Sequence, residues 1–103
     1  MTQHVIVYEA AAPDGTNVFT VDPSTGASVQ LTHGTRFSGN PAWSIDHRRI
    51  IFSSQRDGQA QNDLYTMADD GSDVRRLTDT PDAGEYSAKF SPDGKSIAYV
   101  RQS

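Results

Sequence analysis

The sequence predicts an all-β chain built from repeated, four-stranded antiparallel sheets, and three observations carry that reading. The first is an internal repeat. Trp43-Ser44-Ile45-Asp46-His47-Arg48 returns as Phe90-Ser91-Pro92-Asp93-Gly94-Lys95 at a spacing of 47 residues, and Ile50-Ile51-Phe52 returns at that spacing as Ile97-Ala98-Tyr99. Val18-Phe19-Thr20-Val21 matches Leu64-Tyr65-Thr66-Met67, and Leu31-Thr32 matches Leu77-Thr78, each 46 apart. A slip of one residue falls in loops, where insertions are tolerated. The second observation is the character of the apolar runs. Val5-Ile6-Val7-Tyr8, Ile50-Ile51-Phe52 and Ile97-Ala98-Tyr99-Val100 are short, β-branched and aromatic, and bounded by turn residues. They are continuous rather than alternating, as suits strands covered on both faces. The third is that no window sustains an apolar period of about 3.6 residues, and glycine or proline interrupts most long windows.

Each repeat reads as four strands, a to d, with the chain entering at b. Strand b covers Val5 to Glu9, Arg49 to Ser54 and Ser96 to Arg101; strand c covers Asn17 to Asp22 and Asp63 to Ala68. Strand d covers Ser28 to Thr32 and Asp73 to Thr78, and strand a covers Ala42 to Ser44 and Ala88 to Ser91. Between them lie Pro13-Asp14-Gly15, Pro23-Ser24-Thr25-Gly26, Asp57-Gly58, Asp70-Gly71 and Pro92-Asp93-Gly94. Asp-Gly supplies the positive φ that a tight hairpin demands. Four-stranded antiparallel units recurring every 40 to 50 residues or so are the signature of β-propeller blades. A β-sandwich also has short strands but no reason to repeat its sequence. The domain reading is one propeller segment: residues 1–40 an incomplete blade (b-c-d), 41–86 a full blade, and 87–103 the start of a third (a-b).

Composition narrows the function classes. The 103 residues are 35% hydrophobic and carry a net charge of −4, with a pI near 5.1. An acidic chain argues against a nucleic-acid surface, which is usually basic. No run approaches the ~18 to 20 apolar residues of a membrane span. Without cysteine there is neither a disulfide framework nor a thiolate metal site. Met1-Thr2-Gln3-His4 has no basic n-region, so no secretory signal is expected and the chain as it stands reads as cytoplasmic.

Pro41-Ala42-Trp43-Ser44-Ile45-Asp46, Asp63-Leu64-Tyr65-Thr66-Met67, Asp70-Gly71-Ser72-Asp73-Val74-Arg75-Arg76-Leu77-Thr78 and Phe90-Ser91-Pro92-Asp93-Gly94-Lys95-Ser96-Ile97-Ala98-Tyr99 resemble the WD40-like (PD40) repeat of TolB-type propellers. The resemblance covers nearly the whole chain. It implies six-bladed rings, found in the often periplasmic TolB translocation protein, beside serine peptidases and in some polysaccharide lyases. The chain departs from the pattern at Ile45 and His47, where the other copy has Pro92 and Gly94. His47 cannot adopt a glycine conformation as cheaply, which singles out the first a–b turn.

Trp43 and Phe90 hold equivalent places, as do Leu31 and Leu77, and all four are expected to fill the gaps between adjacent blades. Phe52, Tyr99 and Tyr8 join them as interface candidates. Chemistry is less visible. His4, His33 and His47 never fall at metal-motif spacing, and His33 reads as a turn residue. Asp69-Asp70-Gly71-Ser72-Asp73 resembles part of a calcium loop but lacks the spacing and closing glutamate of an EF-hand, so a turn role is favoured. Asp79, Asp82 and Glu85 read as a solvated d-to-a connection. Ser44, Ser53, Ser54 and Ser91 lack a nucleophile elbow. Arg48-Arg49 and Arg75-Arg76 read as solvated edges that discourage strand pairing. No catalytic residue, cofactor or metal is expected.

Nine strands at four per blade make about two and a quarter blades, and a ring closes with about four to eight. Two blades alone leave apolar faces wet. The expectation is a homo-oligomeric ring, three chains giving six blades, with two chains (four blades) or four (eight) as alternatives. One b copy, Val5 to Tyr8 or Ile97 to Val100, would then be surplus and displaced. The function expected is a non-catalytic scaffold or a module binding a peptide or protein at the ring face or channel. Alternatives are a truncated piece of a propeller-containing hydrolase or lyase, and an excised or engineered segment that only self-assembles.

Overall fold

The computed structural model describes residues 5–44, 46 and 48–102. His4, Ile45 and His47 lie outside the described residues. Nine strands run in order: β1 (Ile6–Ala12), β2 (Gly15–Val21), β3 (Ser28–Gln30), β4 (Ser38–Trp43), β5 (Arg49–Ser54), β6 (Asp63–Ala68), β7 (Arg75–Arg76), β8 (Gly84–Phe90) and β9 (Ile97–Gln102). They form three antiparallel sheets, β1-β2-β3, β4-β5-β6-β7 and β8-β9, and no helix is assigned among the described residues. The sheets stack in chain order, with the four-stranded sheet in the middle. In the single chain neither b strand is displaced, since β1 pairs with β2 and β9 pairs with β8.

Strands β5 and β6 coincide with the sequence reading, and their pleat explains the continuous apolar run. Ile50, Phe52, Tyr65 and Met67 point to the first sheet, where they pack with Val18 and Leu31. Ile51 and Leu64, one residue out of phase, point to the third sheet and meet Ala88. A period of two thus fills two interfaces from one strand pair. Each fully buried large side chain contributes about 1.5–3 kcal/mol.

Two kinds of strand differ from expectation. The a strands begin earlier, at Ser38 and Gly84, because each crosses a bulge, between Gly39 and Ala42 and between Tyr86 and Lys89. Asn40 (φ 48°) and Ser87 (φ 53°), 47 residues apart, carry the left-handed backbone that turns the strand there. The d strands are shorter, three and two residues. Backbone pairing ends where threonine takes over: Thr32 Oγ1 accepts from Val18 N–H and Thr78 Oγ1 from Leu64 N–H, both at 2.9 Å.

The turns repeat too. Asp46 accepts from the Ser44 hydroxyl and Arg48 N–H, and Asp93 accepts from the Ser91 hydroxyl and Lys95 N–H. At the β6–β7 turn, Gly71 (φ +88°) lies against the first sheet, where an added Cβ would stand 2.9 Å from the Leu31 carbonyl oxygen. Gly71→Ala is expected to lower the thermal unfolding midpoint, since the left-handed backbone alone costs about 1–2 kcal/mol. Calorimetry of the two proteins at equal concentration measures this.

Candidate functional site

Two features of this scaffold go beyond core packing: an open aromatic face and a buried polar junction. Tyr8 stacks on Phe19 in the first sheet with ring centroids 5.5 Å apart and planes at 19°. Phe52 stacks on Tyr65 in the second sheet at 5.6 Å and 21°. The two pairs occupy equivalent positions on strands b and c. In the second sheet the stack is covered by Val18 and Leu31 of the first. In the first sheet the pleat puts Ile6, Tyr8, Phe19 and Val21 on the side away from Val7 and Val18, and no other described sheet packs there. Ile6 is 52% exposed.

The polar junction lies where β6, β7, β8 and β9 converge, at the end that carries the b–c and d–a loops. Asp63, buried at the start of β6, accepts from Arg76 Nη2 (2.7 Å), Gln59 Nε2 (3.2 Å), Thr80 N–H (3.1 Å) and the Thr78 hydroxyl (3.3 Å). Burial pushes the Asp63 carboxyl up, but hydrogen bonds from Arg76, Thr80 and Gln59 outweigh it and hold the group below the usual carboxylate range. Glu85 is fully buried and ion-paired with Arg101 Nε at 3.1 Å, and it accepts from the Thr78 hydroxyl at 2.7 Å. Arg76 lies 5.9 Å over the Tyr65 ring. Burial, then a 2.7 Å bond to Asp57, pushes the Tyr65 phenol up.

The first junction has the same plan with amides at these positions and no ion pair; its one carboxylate, Asp14, accepts from Asn17 Nδ2 at 3.2 Å and Gln30 Nε2 at 3.4 Å. Asn17 stands where Asp63 stands, Gln30 where Arg76 stands, and Thr32 where Thr78 stands. The Thr32 hydroxyl donates to Asn17 Oδ1 at 2.9 Å, and Gln30 Nε2 donates to the Thr32 carbonyl as Arg76 Nε does to the Thr78 carbonyl. On strands a and b, the register pair Ser38–Ser54 becomes Glu85–Arg101. One latch is built twice, first from amides and hydroxyls around Asp14 and then with ion pairs.

This refines one expectation and corrects another. Arg76 lies on the exposed edge strand β7, yet neighbours there point oppositely, so Arg75 pairs with Asp73 outside while Arg76 reaches inward to Asp63. Glu85 is no loop residue, because β8 starts at Gly84 and turns that carboxylate into the junction. Asp79 remains exposed, 3.3 Å from Arg76, and Asp82 is exposed in the loop before β8.

Trp43 packs against the first interface and donates from Nε1 to the Val5 carbonyl at 2.9 Å. Phe90 packs against the second interface, and Leu31 and Phe52 are buried in the first. Tyr8 is half-buried in its open stack. Leu77 (43% exposed) and Tyr99 (39% exposed) fill no gap. Leu31 is covered by strands b and c of the next sheet, and the third sheet has strands a and b only. Asp70 is engaged by the Ser72 N–H, and Asp73 by Arg49 and Arg75. Ser54 shares a 2.8 Å bond with Ser38, and Ser44 and Ser91 serve the turns. Ser53 is buried between the second and third sheets.

Residues 2–103 match the family described as the TolB beta propeller domain. YuxL, an uncharacterized peptidase of Bacillus subtilis, is 43% identical over 81 residues, 79% of this chain and 12% of YuxL. Atu1656 of Agrobacterium fabrum is 34% identical over 84 residues, 82% of this chain and 28% of that protein. Dipeptidyl-peptidase 5 of Porphyromonas endodontalis is 31% identical over 101 residues, 92% of this chain and 14% of the peptidase. The chain thus spans between 12% and 28% of the length of these relatives. A solved TolB-like protein of Agrobacterium tumefaciens superposes with a TM-score of 0.86 at 29% identity, covering 94% of this chain and 34% of that one. TolB of Acinetobacter baumannii, at 23% identity and a TM-score of 0.79 over 93% of this chain and 23% of its own, shares the fold.

Proposed function

The chain belongs to the TolB β-propeller family, and from that premise we propose that it is a non-catalytic propeller segment. Its open faces recruit further blades from copies of itself, three chains making a six-bladed ring. That ring serves as a scaffold and binds a peptide or protein segment at the face carrying the b–c and d–a loops. The observation that supports this is the aromatic face of Ile6, Tyr8, Phe19 and Val21. It repeats the chemistry and ring geometry of the covered face, and exposed apolar patches of this kind mark association sites. Light scattering is expected to give three times the 11.2 kDa chain mass. A Tyr8→Glu, Phe19→Glu double variant is expected to stay β-structured and monomeric. A folded wild-type monomer at micromolar concentration sinks the proposal.

The identities with YuxL and dipeptidyl-peptidase 5 favour a second reading, in which the same faces are covered by further blades of a longer, peptidase-bearing chain. Peptide-bond hydrolysis by such a chain, with none by residues 1–103, supports that alternative.

A further inference from the structure

A cleft of about 250 Å³ opens between the first two sheets, lined by His33, Gly34, Thr35, Arg36 and Arg56. We propose that it is a carboxylate-binding subsite for an acidic peptide; this rests on the peptide-binding reading above and names the chemistry that would be read.

The cleft is cationic in an acidic chain. Arg36 comes from the loop between β3 and β4, and Arg56 from the loop between β5 and β6. Among the described residues every carboxylate paired with arginine is paired elsewhere, with Arg49, Arg75, Arg76 or Arg101, and none with Arg36 or Arg56. Neither guanidinium donates a hydrogen bond within the described structure. Of the nearby acids, Asp14 is turned to the Gly34 N–H (2.8 Å) and Asp57 to the Tyr65 hydroxyl (2.7 Å).

The two loops are also tied together, so the arginines are held side by side. The Phe37 carbonyl accepts from Gln55 N–H (3.0 Å) and from the Ser54 hydroxyl (2.9 Å), and Ser54 Oγ in turn accepts from Arg56 N–H (3.0 Å). Arg36 and Arg56 each follow or precede this clamp by one residue. Gly58 (φ +86°) completes the seat: a Cβ there would stand 2.8 Å from Arg36 Nη1, so the missing side chain lets the guanidinium lie across the turn. Two planar guanidinium forks from different loops, lining one cleft with Thr35, suit the flat, bidentate geometry of carboxylates. The cleft is open on one side, as a chain end or an acidic side chain requires. Placement at the junction of two blades also makes it part of a ring face rather than a rim.

Calorimetric titration of the wild-type chain tests this with four probes: a short acidic peptide, the same peptide amidated at its C-terminus, a neutral peptide of equal length, and inorganic phosphate. The acidic peptide is expected to bind, more tightly at low salt. Arg36→Gln with Arg56→Gln, whose exposed side chains leave the fold intact by circular dichroism, is expected to weaken it about tenfold. Loss of binding on amidation assigns the terminal carboxylate, and retention assigns the side chains; either supports the subsite. A neutral peptide bound equally well, or binding unchanged in the double variant, overturns the subsite and leaves the peptide-binding reading standing. If inorganic phosphate binds and carboxylates do not, the ligand class is wrong. If no peptide binds the wild-type chain, the peptide-binding reading fails and the subsite with it.

Discussion

Asp63→Ala is expected to remove about 3–5 kcal/mol of stability, the cost of breaking a buried ion pair by deleting one member. The deletion leaves the Thr80 N–H without its acceptor and Arg76 beside Tyr65 without its nearest anion. Asp63→Asn alone is expected to recover little, because an amide cannot neutralise the guanidinium. Adding Arg76→Gln installs the Asn17–Gln30 pair of the first junction, whose amides also donate to Asp14, and is expected to recover part of the loss. Urea denaturation of the three variants at equal protein concentration measures this; a double variant no better than Asp63→Asn refutes the shared latch. Acid supplies a second reading. A carboxyl held below its ordinary value contributes stability that is complete above about pH 4 and lost as pH falls through the folded-state value. The double variant is expected to lose less stability than the wild type across that acid range.

Phe52→Ala is expected to cost about 3–5 kcal/mol, because the ring is fully buried between two sheets. Tyr8→Ala removes the equivalent ring from an uncovered face and is expected to cost only about 1 kcal/mol in the isolated chain. Assembly changes the comparison. If copies cover that face, the cost of Tyr8→Ala rises toward that of Phe52→Ala as protein concentration rises. Denaturation midpoints of both variants, measured across a hundredfold concentration range, are expected to converge. A constant gap means the face stays wet.

The repeat and the continuous apolar run Ile50-Ile51-Phe52, bounded by turn residues, were enough to place β5 and β6 to the residue. Less was visible at strands a, because a bulge with Asn40 or Ser87 in a left-handed conformation breaks the alternation that marks a strand. The d strands read long because, past their last residues, the Leu31 and Leu77 N–H groups still bond the Val18 and Leu64 carbonyls and the Thr32 and Thr78 hydroxyls add to the contact. The burial of Glu85 and the inward reach of Arg76 were hidden for a different reason. A charge is buried only where its partner stands, and Asp63 and Arg101 are 13 and 16 residues away. Comparing the repeats column by column carries that signal: Asn17/Asp63 changes with Gln30/Arg76, and Ser38/Glu85 with Ser54/Arg101, each pair gaining opposite charges. Tyr99 was placed correctly on its strand, whereas Leu77 falls one residue past the end of β7, and the exposure of both depends on which strands the third sheet has.

The brevity of β3 and β7 decides where this molecule can grow. An unpaired strand edge is a template for another chain, and a two- or three-residue edge offers almost nothing to pair with. Unpaired edges of six or seven residues belong to β1, β4, β8 and β9; β4 packs against β1, β2 and β8, and β8 against β4, β5 and β6, so the first and last strands, β1 and β9, are the edges at the ends of the stack. The flank formed by β3 and β7 therefore offers little for strand addition, and β1 and β9 offer more. In the proposed ring, copies joined end to end would continue the stacking of the blades, whereas copies joined by their flanks would extend into a fibre.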